Sequence, residues 1–259
     1  MAAGESAGDQ SVIEIARLST QEEFKIAVEL QRTIWGFADI ELLPVRLFVV
    51  ASKIGGQALG AFDGELMIGF CLAIPGLKQS RDGHGAVKGY LHSHMLGVLS
   101  EYNNRGAGRL LKLAQREDAL QRSIDLIEWT FDPLEIKNAY FNIEKLGAII
   151  RRYVPNQYGT TSSFLHGGLP TDRCTAEWWI DSDRANAAVN GRPMSRPAIE
   201  ASIEVPTAIA ELRKSDPKQA REIQQAIGER FQKLFGMGLA VIGFERSEGT
   251  GSYLLGFLK

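Results

Sequence analysis

The stretch from Tyr90 to Phe131 constrains the fold more than any other part of the chain. Tyr90 to Leu99 alternates as a strand, and a loop of small and polar residues follows it. Arg109 to Gln121 then sets Leu110, Leu113, Ala114 and Leu120 along one side of a helix, and Asp125 to Phe131 is a second strand. One crossover between two strands makes them parallel and lays the helix over the sheet. The expectation is an α/β fold around a mixed sheet, and the flanking sequence extends it in both directions.

Upstream, Val12 to Leu18 reads as a strand. Ser19-Thr20 with Glu22 and Glu23 is a helix start running to about Trp35, and Pro44 opens a second helix through Lys53. Gln57 to Phe62 and Met67 to Ile74 form a hairpin across Asp63-Gly64, and Gly76 to Gly89 reads as a polar loop. Downstream, Pro133 begins a helix ending at Gly147, and Ala148 to Val154 and Thr175 to Ile180 are strands. Asp181 to Pro197 has no sustained apolar period and reads as a connector. Beyond it come a strand at Ala201 to Val205, helical sequence from Thr207 to Phe235 broken near Asp216-Pro217, and strands at Leu239 to Phe244 and Ser252 to Phe257. The expected organisation is a main domain over 12–180, a connector over 181–198 and a βαββ extension over 199–259. At roughly 60 residues that extension is marginal alone, so it is expected to pack on the main domain or lengthen its sheet.

Composition narrows the function classes. The 29 basic and 31 acidic residues nearly cancel, which argues against a nucleic-acid or membrane-surface partner and makes any anion site a local one. The two cysteines, Cys71 and Cys174, lack CxxC spacing and fit packing roles in a reducing compartment. No signal-like leader or stretch of ~20 apolar residues is present, so the expected location is the cytoplasm. With no HExxH or paired CxxC pattern, no metal is expected.

The chemistry is concentrated where the first strand meets the helix. Val98-Leu99-Ser100-Glu101-Tyr102-Asn103-Asn104-Arg105-Gly106-Ala107-Gly108 lets a backbone rich in small residues approach an anion, while first-turn N–H groups supply positive potential. A P-loop requires GxxxxGK[ST], which is absent; a dinucleotide fingerprint requires a third small residue where Arg109, Leu110 and Leu111 stand. Glycines that merely make the turn are the alternative for an isolated GxG. The segment resembles the signature loop Q/R-x-x-G-x-G/A of the Gcn5-related N-acetyltransferase superfamily, and Glu144-Lys145-Leu146-Gly147-Ala148 is similar to that family's helix end Y-E-K-L-G-F. The resemblance covers about Val12 to Ile180, with Asn103 in place of the usual Gln or Arg.

The resemblance implies an acyltransferase that moves an acetyl or other short acyl group from acyl-CoA to an amine of a small molecule by direct attack. Backbone groups of Leu96, Gly97 and Val98 would pair with pantetheine, main-chain groups at Gly97 to Val98 would stabilise the oxyanion, and Asn103, Asn104, Arg105, Gly106, Ala107, Gly108, Arg109 and Leu110 would hold the pyrophosphate. Asn138 and Phe141 would line the cofactor cleft. The family's acid, a tyrosine before E-K-L-G, falls here on Ile143, with Tyr140 three residues earlier. A non-catalytic acyl-CoA sensor or interaction module is the alternative function.

For the base, alternation along the strand places His92, His94, Leu96 and Val98 on one face, provided no bulge intervenes. His92 falls where histone-acetylating relatives place a glutamate, and imidazole can take the proton an attacking ammonium must lose. His94 and Glu128 are the reserves. The acceptor is expected to meet the first two helices, the loop at 76–89 and the segment Tyr158 to Glu177, where Ser162, Ser163, His166 and Arg173 could reach it, Arg173 inviting a carboxylate. Closing the active site or forming a homodimer contact are the roles open to the C-terminal unit.

Overall fold

The computed structural model describes residues 12–79, 87–159, 161, 163 and 168–258. Its strands are β1 (Ile13–Arg17), β2 (Gln57–Asp63), β3 (Leu66–Lys78), β4 (Lys88–Val98), β5 (Leu126–Phe131), β6 (Ile149–Val154), β7 (Arg173–Trp179), β8 (Ala201–Pro206), β9 (Ala240–Arg246) and β10 (Thr250–Gly256). They form one ten-stranded sheet in the order β1-β2-β3-β4-β5-β7-β6-β9-β10-β8. β4 and β5 are parallel, as their crossover requires, and the other neighbouring pairs are antiparallel.

The helices cover both faces of the sheet. α1 (Gln21–Trp35) starts at a capping box in which the Thr20 hydroxyl accepts from the Glu23 N–H and the Glu23 carboxylate accepts from the Thr20 N–H. Its apolar side, with that of α2 (Val45–Lys53), buries Phe24, Ala27, Leu30, Phe48 and Ala51 against Phe70 and Leu72 of β3. Cys71, between those two β3 residues, points to the opposite face, where α3 (Ala107–Gln121) packs Ala107 and Leu111. Alternation along β3 thus assigns α1 and α2 to one face and α3 to the other.

Three segments depart from the sequence reading. The hairpin between β3 and β4 extends into the expected 76–89 loop, with Gly76, Leu77 and Lys78 paired to Tyr90, Gly89 and Lys88. The Tyr90 ring lies against Gly76, where a Cβ would meet it at 2.5 Å, so the glycine supports the ladder. The helix expected from Pro133 begins later, as α4 (Ile136–Tyr140), because the Asp132 carboxylate first accepts the Leu134 N–H in a turn; it then widens into a π-helix over Phe141–Lys145. Residues 181–197 include α5 (Asp183–Val189), capped by Ser182, with Ala185, Ala188 and Val189 buried. Such a short run of small apolar residues leaves little periodic signal.

The sheet continues from β6 into β9 through Ile150↔Val241. α6 (Ile209–Ser215) and α7 (Pro217–Gly236) complete the C-terminal part, and α7 stacks Phe231 on Tyr153 of β6. Polar contacts tie this part to the connection after β5. The Tyr253 hydroxyl donates to the Pro133 carbonyl at 2.7 Å, and Arg213 pairs with Asp132 and Glu135 at 2.6 and 2.8 Å.

Candidate active site

The parallel strands β4 and β5 separate soon after they meet. They pair at Leu91↔Ile127 and His92↔Glu128, and residues 93–98 and 129–131 run on with no rung between them. A cavity of about 530 Å³ occupies this divergence. Ser93, His94, Met95 and Leu96 form one wall; Trp129 to Asp132, Lys112, Asn138, Phe141, Asn142, Tyr158 and Arg173 contribute much of the rest; and the stacked Trp35 and Phe37 close the α1 side.

A bulge changes which way the β4 side chains point. Leu72 pairs with Met95 and the next β3 residue, Ala73, pairs with Ser93, so His94 is the extra residue. Leu96 and Val98 pack toward α3, and Ser93 also faces α3, where its hydroxyl meets Lys112 and Gln115. His92, adjacent to Ser93, must point to the other face. The expected single face of His92, His94, Leu96 and Val98 therefore does not form. The two imidazoles remain neighbours, with ring centroids 5.8 Å apart, and His94 rather than His92 lines the cavity.

Main-chain directions follow from the β3 pairing. The Leu99 N–H donates to the Ile68 carbonyl, so by alternation Gly97 bonds toward β3, while the groups of Leu96 and Val98 point into the unpaired gap. Gly97 serves packing as well: a Cβ there would meet the Trp35 ring at 2.5 Å. The loop after β4 enters α3 through Asn104 and Gly106, both at positive φ (65° and 88°), and no side chain caps the helix. Its first-turn N–H groups form the positive end of a helix of 15 residues. Arg105 stacks on Tyr102 and pairs with Asp63 at 3.7 Å, whereas Arg109 turns away to donate to the Val189 carbonyl at 2.6 Å.

The ionisable groups around the divergence fall into two kinds. Glu128 is buried and paired with both Lys78 and Arg152, so its carboxylate is neutralised in place. Burial, with the neighbouring His94, Lys112 and Arg152 charges, pushes His92 down to about 4, and burial also lowers His94. Lys112, only 4% exposed, donates to the Ser93 hydroxyl at 2.8 Å and lies 3.7 Å from the Trp129 ring centroid. Burial lowers its pKa to about 7. Burial raises both thiols, Cys71 to about 12, so each is held protonated.

Of the residues expected at the site, His94, Leu96, Asn138, Phe141 and Arg173 line the cavity. His92 and Glu128 stand at the last paired rung, and residues 103–110 follow the open end of β4. Ser162 and His166 lie outside the described residues; Ser163 is buried. Ile143 is buried in the core, and Tyr140 packs under Arg246 at 3.8 Å. The sequence pattern singles out neither Lys112 nor Trp129, and Tyr158 enters it only as the start of the acceptor segment; Lys112 shares its buried helix face with Gln115, so no break in an apolar run marks it. The Tyr158 hydroxyl shares a 2.9 Å hydrogen bond with Thr130, and Arg173 lies 5.5 Å from its ring. Among the described residues, no three His, Cys, Asp or Glu side chains gather as metal ligands, and no helix is long and apolar enough to cross a membrane.

Solved structures share this architecture. Arabidopsis thaliana NAA60 in complex with a bisubstrate analogue superposes with a TM-score of 0.52 at 13% identity, covering 66% of this chain and 100% of its own. The same protein with acetyl-CoA gives 0.52 at 14% identity, covering 65% and 100%. The fold is that of the Gcn5-related N-acetyltransferases. A third structure with the Gcn5-related fold, yncA from Salmonella typhimurium with its cofactor acetyl-CoA, gives 0.50 at 14% identity, covering 66% and 96%. No family model matches the chain, and no curated protein matches it by sequence.

Proposed function

We propose that this protein is an N-acyltransferase that takes acyl-CoA into the gap between β4 and β5 and transfers the acyl group to the amine of a small molecule. The observation carrying this reading is the divergence itself: unpaired main-chain groups of Leu96 and Val98 point into the gap between β4 and β5, Leu96 lines the cavity in it, and the uncapped N-terminus of α3 follows the open end of β4. Pantetheine amides would pair with those groups as an added strand, and pyrophosphate would meet the N–H groups of residues 107–110, aided by Arg105. Asn138 and Phe141 would flank the pantetheine from α4 and the π-helix. The acceptor would enter from the side of Trp35 and Phe37, with Arg173 positioned for an acceptor carboxylate.

The transfer is direct. The amine nitrogen bonds to the thioester carbon, the carbon–sulfur bond breaks, and the amine proton passes to a base. We assign the base to His94, because it lines the cavity and burial keeps it unprotonated at neutral pH. His92 is adjacent but aims elsewhere, and Glu128 is tied to two cations. The N–H of Leu96 or Val98, rather than of Gly97, is the main-chain donor for the oxyanion. Tyr158, which lines the cavity, would return a proton to the departing thiolate. The cysteines are buried and protonated, which fits a mechanism without an acyl-enzyme.

The test is thiol release from acetyl-CoA by the purified full-length chain against a panel of amines, including amino acids. Amine-dependent release supports the reading. Binding of acetyl-CoA with no release for any amine would favour an acyl-CoA sensor.

A further inference from the structure

Lys112 is a cation of the cavity wall that this mechanism leaves unused. It is buried, yet it lies on the cavity wall. One N–H goes to the Ser93 hydroxyl, which itself meets Gln115 at 3.0 Å, and the ammonium rests against Trp129. Among the described residues no carboxylate pairs with it. The nearby acids on the cavity floor, Asp132 and Glu135, are held by Arg213. A buried cation with donor capacity left toward a cavity is costly unless a ligand supplies an acceptor.

The proposed cofactor path says what would arrive there, so the inference rests on that reading. Pantetheine starting at the α3 N-terminus and following Val98 to Leu96 advances toward the closed end of the gap, where β4 and β5 still pair. Its acyl group would therefore extend toward Ser93, Lys112 and Trp129, whereas the amine approaches from the Trp35 side. We infer that Lys112 selects an acyl-CoA whose acyl chain ends in a carboxylate, such as a succinyl group, by pairing with that carboxylate at the closed end of the cavity. The Trp129 ring would flank the methylene chain, and Ser93, fixed by Gln115, would hold the ammonium in position. A carboxylate beside Lys112 would also restore its positive charge, so binding above neutral pH would take up a proton.

The experiment is calorimetric titration of the full-length chain with free CoA, acetyl-CoA and succinyl-CoA, for wild type, Lys112→Met and Lys112→Gln, in two buffers of different ionisation enthalpy at pH 8. The wild type is expected to bind succinyl-CoA about tenfold or more tightly than acetyl-CoA, with net proton uptake for succinyl-CoA alone. In both variants that ratio should fall toward one and the uptake should vanish. Equal wild-type affinities, or a preference that survives in a folded variant, would overturn the inference. Failure of wild type to bind even free CoA would instead remove the acyl-CoA reading of the cavity, a separate outcome.

Discussion

The paired and separated halves of the β4–β5 junction treat buried charge in opposite ways. At the paired end, Glu128 is neutralised from within the protein by Lys78 of β3 and Arg152 of β6, each two strands away from β5 on opposite sides. In the separated half, Lys112 is equally buried but meets only a hydroxyl and an aromatic face, and the main-chain groups of Leu96 and Val98 point into the gap. Charge balanced by the protein belongs to its stability; charge and main-chain polarity left facing a cavity are available to a ligand. This contrast separates the two buried ionisable groups more clearly than burial alone, since Glu128 is 3% exposed and Lys112 is 4%.

The largest expected effect tests the paired end. Lys78→Ala with Arg152→Ala leaves Glu128 buried without its cations and should cost about 3 kcal/mol in urea unfolding, with acyl-CoA affinity little changed. A large loss of acyl-CoA affinity without a stability loss would invert the comparison. In the separated half, His94→Gln should lower the transfer rate by about a hundredfold while acyl-CoA affinity is kept, and the wild-type acidic limb should lie below the ordinary imidazole value because burial lowers the histidine. Gly97→Ala drives a methyl into Trp35 and should cost about 2 kcal/mol, with a change in tryptophan fluorescence as the cavity wall shifts.

Two smaller effects concern pH. The folded-state value of Lys112, about 7, lies below its ordinary 10.5, so between these pH values the unfolded chain holds a proton that the folded chain has released. Wild-type stability should therefore rise relative to Lys112→Met as pH increases through that window, by unfolding titration. For His92, held near 4 against an ordinary 6.5, the unfolded chain again binds the extra proton. Its contribution is full above 6.5 and is lost as pH falls toward 4, and His92→Gln should flatten that acid-side decline.

Much of the scaffold was legible because its signals are local. The Thr20 capping box, the Asp63-Gly64 hairpin and the strand–loop–helix–strand unit at 90–131 each follow from neighbouring residues, and the C-terminal elements lie close to where the apolar pattern places them. The site was less legible because it depends on where alternation breaks. Nothing near His94 marks a bulge, yet that one extra residue separates the direction of His92 from that of Leu96. Tyr158 and Lys112 reach the same cavity from elements more than forty residues apart, a juxtaposition that spacing along the chain does not contain. Ile143, which stands at the position of the family's acid, is buried in the core within the π-helix at Phe141–Lys145, a widening that the sequence does not announce.

The central claim is that the gap beyond the last β4–β5 rung receives acyl-CoA as an added strand. Amide hydrogen exchange of the full-length chain, with and without saturating acetyl-CoA, tests it most directly. The account predicts new protection at Leu96 and Val98 and at the first turn of α3, with little change at Gly97, whose N–H already bonds toward β3. Binding of acetyl-CoA that leaves Leu96, Val98 and residues 107–110 unprotected, or protects a different region, would contradict it.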